Sequence, residues 1–209
     1  MRIAKEGYPL ILTAAALATG AFLMGWQMVG VVLALATAAI TGFFRDPERN
    51  VPTGEGLIVS AADGRVVSIA EVQSGPSADA TATRVSIFLS PLDVHVNRMP
   101  VTGKIEEVRY QTGRFIAAYK DESSQHNEQN ALKVVDNQGR SLTVVQVAGV
   151  VARRIVCRVK PGDRLARGER FGLIMFGSRT DMYLPKGCVV QLAEGQKVKG
   201  GETIVGSFS

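Results

Sequence analysis

A serine that follows a glycine at the end of an apolar run, a histidine inside a proline-bounded segment and an acid-glycine pair are the residues of this chain best suited to chemistry. They are Ser178 after Gly177, His95 within Ser90-Pro91-Leu92-Asp93-Val94-His95-Val96-Asn97-Arg98-Met99-Pro100, and Asp63 before Gly64. A serine hydroxyl is a weak nucleophile until a base takes its proton, and the base works best when a carboxylate orients it. His95 and Asp63 supply those two types. Each has a bland alternative: Gly-Ser pairs mark turns, Asp-Gly is a standard hairpin turn, and a lone histidine can serve as a hydrogen-bonding core residue. Their combination, with Ser178 set between a strand-like run ending at Phe176 and a glycine-rich unit, singles them out. A serine hydrolase built on the three is disfavoured, because no Gly-x-Ser-x-Gly elbow and no α/β alternation are present.

The histidines are His95 and His126, and the cysteines Cys157 and Cys188 lie in apolar runs without ligand spacing. The sequence therefore predicts free thiols, no disulfide framework and no metal site. A net charge of +5 favours an anionic partner. Aromatic residues make up only 6% and are not interleaved with the basic ones, so no nucleic-acid platform is expected. Beside an apolar anchor, lipid is the better partner.

The elements that must position these residues begin with residues 8–44, which carry no charge. A single spanning helix needs about 20 residues, and Gly25, Trp26 and Gln27 break the run, which predicts two helices over 9–23 and 28–43. Arg2 and Lys5 precede the run and Arg45 and Arg49 follow it, so the positive-inside rule puts both ends in the cytoplasm. A cleaved signal peptide has a shorter apolar core and a small-residue cleavage site; a buried soluble hairpin is the other competitor. Residues 1–50 are expected to form a membrane-anchoring helical hairpin.

From Pro52 the pattern changes to short alternating runs separated by Gly, Pro and Asn, which predicts strands over 64–70, 84–89, 105–110, 131–135, 141–147, 154–159 and 172–176. Asp136-Asn137-Gln138-Gly139 supplies a hairpin turn. The frame Gly162-x-x-Leu165-x-x-Gly168-Glu169 recurs as Gly195-x-x-Val198-x-x-Gly201-Glu202. Paired turns of this kind resemble those of biotinyl and lipoyl modules. The expected fold of 51–209 is mainly β, a compact barrel-sandwich-like domain. The polar stretch 111–129 reads as a short helix and an exposed loop, with closure over a substrate as one reading and surface irregularity as the other.

Three segments taken in order, Ala62-Asp63-Gly64-Arg65-Val66, Ser90 through Val101 and Phe176-Gly177-Ser178-Arg179, together with Phe43-Phe44-Arg45-Asp46-Pro47-Glu48-Arg49, closely resemble the short form of phosphatidylserine decarboxylase. The resemblance runs from about residue 40 to the C-terminus. It implies a membrane-bound proenzyme that cuts itself between Gly177 and Ser178, giving a β chain of residues 1–177 and an α chain of 178–209 that stay together as a heterodimer, with higher oligomers open. Ser178 would become a covalent pyruvoyl group, with no metal and no pyridoxal phosphate. That carbonyl would form a Schiff base with phosphatidylserine and draw the electron pair released with carbon dioxide, giving phosphatidylethanolamine. His95 and Asp63 would serve as base and orienting carboxylate, while Arg98 and Arg179 could hold the lipid phosphate or carboxylate; the bland reading of both arginines is a solvated surface charge. The expected location is the inner membrane, with the catalytic domain on its cytoplasmic face. Longer bacterial relatives carry two histidines in the segment around His95 and a Leu-Gly-Ser-Thr cleavage sequence; here Arg98 follows a single histidine and the sequence reads Phe-Gly-Ser-Arg. An adaptor-like, non-catalytic module is the competing reading from another class, and it predicts an intact single chain.

Overall fold

The computed structural model describes residues 2–73, 82–113, 126–149, 154–175 and 178–208, and the chain divides into two compact units, Met1–Glu48 and Arg49–Ser209.

In the first unit, β1 (Arg2–Ile3) pairs with β2 (Arg45–Asp46) across a hairpin of α1 (Tyr8–Leu23) and α2 (Gln27–Phe43). Gly25 makes the turn with φ +78°, a conformation that costs other residues more. The helices approach closely where Gly30 meets Phe22; a Cβ at Gly30 would lie 2.6 Å from that ring. Thr19, Thr37 and Thr41 return their hydroxyls to carbonyls one turn back at 2.8–2.9 Å, so these polar groups need no water. Leu12, Leu17, Leu23, Met28 and Leu35 are exposed. Lys5–Leu23, 19 residues, is long and apolar enough to cross a membrane, and α2 is shorter.

The second unit is built from strands. In chain order they are β3 (Leu57–Val59), β4 (Gly64–Val72), β5 (Ala82–Leu89), β6 (Val96–Arg98), β7 (Gly103–Gln111), β8 (Gln129–Asp136) and β9 (Ser141–Val147). There follow β10 (Ile155–Cys157), β11 (Arg164–Leu165), β12 (Arg170–Ile174), β13 (Ser178–Pro185), β14 (Val189–Val190), β15 (Lys197–Val198) and β16 (Ile204–Ser207). An eight-stranded antiparallel sheet runs β11-β7-β8-β9-β13-β5-β4-β15, beside two three-stranded sheets, β10-β12-β6 and β14-β16-β3. The core lies between them: Val66, Ile87, Leu89, Ile105, Leu132, Val144, Met182 and Leu184 from the large sheet pack with Ile58, Met99, Phe171 and Val205. The architecture is mainly β with an N-terminal helix pair, and among the described residues the sheets do not close into a barrel.

The repeated glycine frame is a repeated structure. Gly162, Gly168, Gly195 and Gly201 all have φ between +79° and +98°. β11 pairs with the start of β7 and β15 with the start of β4. The amides of Arg167 and Gly200, at equivalent places, donate to Thr102 Oγ1 at 3.0 Å and to Asp63 Oδ1 at 2.8 Å. Asp63 and Thr102 thus occupy matching positions. The hairpin at Asp136 is as the residue types suggest, with Oδ1 accepting the amides of Gln138 and Arg140 at 2.8 and 2.9 Å.

One long strand has no counterpart among the expected ones. β13 sits between β5 and β9 at the centre of the large sheet, yet reads Ser-Arg-Thr-Asp-Met-Tyr-Leu-Pro. Its alternate residues Thr180, Met182 and Leu184 are apolar enough for a core face, but Arg179 and Asp181 between them disguise a strand buried on both sides.

Candidate active site

Ser178 opens β13 and faces Leu89 of β5 in register, while the next residue, Arg179, lies opposite Val147 of β9. It is fully buried, and its hydroxyl has no hydrogen-bond partner among the described residues. A buried hydroxyl without a partner loses its bonds to water for no return. A position of that kind suits a group that reacts. Gly177 and Phe176, on the other side of the bond expected to be cut, lie outside the described residues, as do 114–125 of the polar stretch.

Two contacts tie the chain around Ser178 to the segment that carries His95. Leu89, its register partner, leads into the turn in which Asp93 Oδ2 accepts both the amide and the hydroxyl of Ser90 at 2.8 and 2.7 Å. From there the chain reaches His95, whose carbonyl accepts the amide of Ile174 at 3.2 Å, four residues before Ser178. His95 is buried, and its Nδ1 lies 2.9 Å from the Asp93 carbonyl oxygen. A carbonyl only accepts, so Nδ1 carries the proton there and Nε2 is the basic nitrogen.

The Asp63 carboxylate takes 2.7 and 2.9 Å bonds from Arg49 Nη2 and the Gly200 amide bond at 2.8 Å, while the Asp93 carbonyl holds His95 Nδ1. Burial pushes the Asp63 carboxyl above its ordinary range, and the Arg49 charge and the Gly200 amide pull against that rise. Glu202 stands 3.8 Å from Arg49 on its other side. Beside this junction opens a cavity of about 500 Å³ lined by Asp63, Gly64, Asp93, Lys197, Lys199 and Glu202, among others.

Neither arginine is a solvated surface charge. Arg98 is buried and donates from Nη1 to the Gly168 carbonyl at 3.0 Å, inside the repeated turn. Arg179 is buried in a two-point pair with Asp181, 2.8 and 3.0 Å. Next to it the Tyr183 hydroxyl is pushed up to about 12, by burial first and then by the Asp181 charge.

Sequence reasoning passed over Arg49 as a neighbour of Asp63, and it passed over a buried chain of polar side chains, Asn97, Thr180, Gln146 and Asn130. The signal for the second was three amide side chains, each next to an apolar residue of its strand.

Comparison with known proteins agrees with this arrangement. The family model described as phosphatidylserine decarboxylase matches residues 36–206. The phosphatidylserine decarboxylase proenzyme of Syntrophus aciditrophicus is 43% identical, with 99% of this chain and 97% of that protein covered. The proenzymes of Solidesulfovibrio magneticus and Nitratidesulfovibrio vulgaris are 46% and 47% identical over 97% of this chain and 94% and 93% of theirs. With that match across the segments that carry Asp63, His95 and Ser178, the chain belongs to the phosphatidylserine decarboxylase family.

Proposed function

We propose that the chain is a decarboxylase proenzyme that cuts itself at Gly177-Ser178 and then converts phosphatidylserine to phosphatidylethanolamine. The observation that carries the reading is the Ser178 hydroxyl, buried and, among the described residues, without a partner at the head of a central strand. His95 Nε2 takes the proton from Ser178 Oγ, which attacks the Gly177 carbonyl and replaces the peptide bond by an ester. Loss of the Ser178 α-proton then breaks the bond between Oγ and the β-carbon. Gly177 leaves as a carboxylate with that oxygen, and dehydroalanine remains at 178. One water hydrolyses it, ammonia departs, and a pyruvoyl group blocks the new N-terminus. The residues fit such a group, because Ser178 is itself its source and its site is closed to bulk water. Once formed, the carbonyl supplies an electron sink for the loss of carbon dioxide from an amine-bearing substrate.

The cut leaves the two chains interlocked. Residues 178–209 contribute β13 between β5 and β9, β15 against β4, and β14 and β16 beside β3. Met182, Leu184, Val198 and Val205 are buried in the common core. Burial of each such side chain contributes roughly 1.5 to 3 kcal/mol, enough in sum to hold an α and β heterodimer without the peptide bond. The apolar hairpin with its exposed leucines fits a bilayer anchor that brings the enzyme to a lipid substrate, with Arg2, Lys5 and Arg45 at the cytoplasmic face. Of the two arginines, Arg179 has its charge matched by Asp181, which disfavours it as the contact for an anionic part of the head group.

Intact mass measurement of the purified protein under denaturing conditions is expected to show two chains, the smaller beginning at 178 with a pyruvoyl end. Ser178→Ala is expected to give one uncut, inactive chain. A processed and active Ser178→Ala protein would sink the reading.

A further inference from the structure

Asn97 and Thr180 join two sheets inside the core. Asn97 lies on β6, in the small sheet with β12, and its Nδ2 donates to Thr180 Oγ1 of β13 at 3.1 Å. Its Oδ1 accepts from Gln146 Nε2 at 2.9 Å, and Gln146 Oε1 accepts from Asn130 Nδ2 at 3.1 Å. Longer contacts of 3.4 Å run from Asn97 to the Ala61 carbonyl and from Gln146 to the Val156 carbonyl. All four side chains are buried. The approach of Gln146 requires glycine at 172, where a Cβ would come within 3.0 Å of Nε2 and collide with the Val156 carbonyl.

The bridge stands one pleat from the reacting residues. Thr180 is two residues beyond Ser178 on β13, and residues two apart on a strand share a face; Asn97 is two beyond His95, which immediately precedes β6. The Asn97–Thr180 bond therefore couples the strand that begins with Ser178 to the strand that follows His95. Polar side chains buried in this way give little net stability compared with apolar ones of the same shape. Their bonds are directional, however, and resist sliding of one sheet over the other, which apolar contacts permit. Attack of a hydroxyl on a neighbouring carbonyl depends steeply on approach, and a misplacement of about 1 Å can cost roughly 10²-fold.

We propose that Asn97 and Thr180, backed by Gln146, are positioning residues for self-cleavage: their bridge fixes the Ser178 strand against the strand that follows His95. The proposal rests on the reading of the chain as a self-cutting proenzyme. It predicts that cutting follows the hydroxyl at 180 and not the packing volume there. Thr180→Val keeps the shape and removes the acceptor; Thr180→Ser keeps the acceptor and removes a methyl group.

The experiment follows the conversion of freshly synthesised full-length chain to two chains by denaturing gel and mass, with the melting temperature of each variant measured beside it. Thr180→Val is expected to cut at least ten-fold more slowly than the unaltered chain. Thr180→Ser is expected to cut within about two-fold of it, even where its melting temperature falls. Thr180→Val cutting at the normal rate would overturn the proposal, as would Thr180→Ser cutting as slowly as Thr180→Val or rates that simply track melting temperature. Should Thr180→Val fail to accumulate as folded protein, Thr180→Ser and Asn97→Leu still decide it. Asn97→Leu keeps roughly the volume and removes every polar atom that could bond Thr180, so it is expected to cut slowly, and normal cutting would refute the bridge. An unaltered chain that never cuts would overturn the self-cleavage reading itself, whereas a normal chain beside an equally fast Thr180→Val overturns only the positioning role.

Discussion

Arg49 grips Asp63 through a single guanidinium nitrogen, 2.7 and 2.9 Å from the two carboxylate oxygens, at the first residue of the β unit. Asp63 also takes the amide of Gly200, which belongs to the segment expected to become the α chain. Because burial raises the Asp63 carboxyl above its unfolded value, the folded state holds that proton longer. Its contribution to stability therefore falls as pH rises from about 3.8 through the folded value. Removing the Arg49 charge raises the carboxyl further and extends that loss. Arg49→Gln is expected to cost about 1.5 to 3 kcal/mol near pH 7.5 and less near pH 4.5, because lowering the pH favours the neutral form of the raised Asp63 carboxyl. Melting temperatures of both proteins at the two pH values test this; an equal deficit at both would show that the pair is not coupled.

His95 is the base in the proposed cutting step, its ring held by the Asp93 carbonyl. His95→Ala is expected to slow cutting by about 10² to 10⁴-fold, the usual contribution of a positioned base. The half-life of the uncut chain is the measurement, and normal processing would remove His95 from that role. Asp63→Asn is expected to slow cutting less, since the bonds of Asp63 run to Arg49 and Gly200.

Asp181 neutralises Arg179 where both are fully buried. Asp181→Asn leaves a charged guanidinium in the interior with a weaker partner, and the expected loss is about 3 to 5 kcal/mol. Urea denaturation of Ser178→Ala and of Ser178→Ala/Asp181→Asn compares the two as uncut chains. A loss below about 1 kcal/mol would mean that Arg179 relies on other partners.

Residues 1–48 form a unit of their own. A chain beginning at Arg49 keeps the Asp63 pair and every strand from β3 onward, and it is expected to fold and cut itself at close to the normal rate. It should lose co-flotation with phospholipid vesicles, which the full chain should show. A truncated chain that floats equally well would place the membrane contact in the β unit.

Much of this protein was legible in its sequence because the governing interactions are local. The break at Gly25, the helices on either side of it, the Asp136 turn and the repeated glycine frame depend on residues within a few positions of one another, where backbone preference and side-chain type act directly. The Gly177-Ser178 pair with His95 and Asp63 pointed to the family before any partner was known. Tertiary structure alone decided who meets whom. Asp63 meets Arg49 and Gly200 because the repeated turn returns to it, as its twin returns to Thr102. Asp93 orients His95 through its backbone, which no side-chain pattern reveals. Arg98 and Arg179 are buried, against the pattern of charged residues, because Gly168 and Asp181 supply partners. β13 hides its identity for the same reason, since a central strand with a matched ion pair on one face need not look apolar. Strand register and sheet packing bring such residues together across tens of positions, and that choice is made by the whole fold at once.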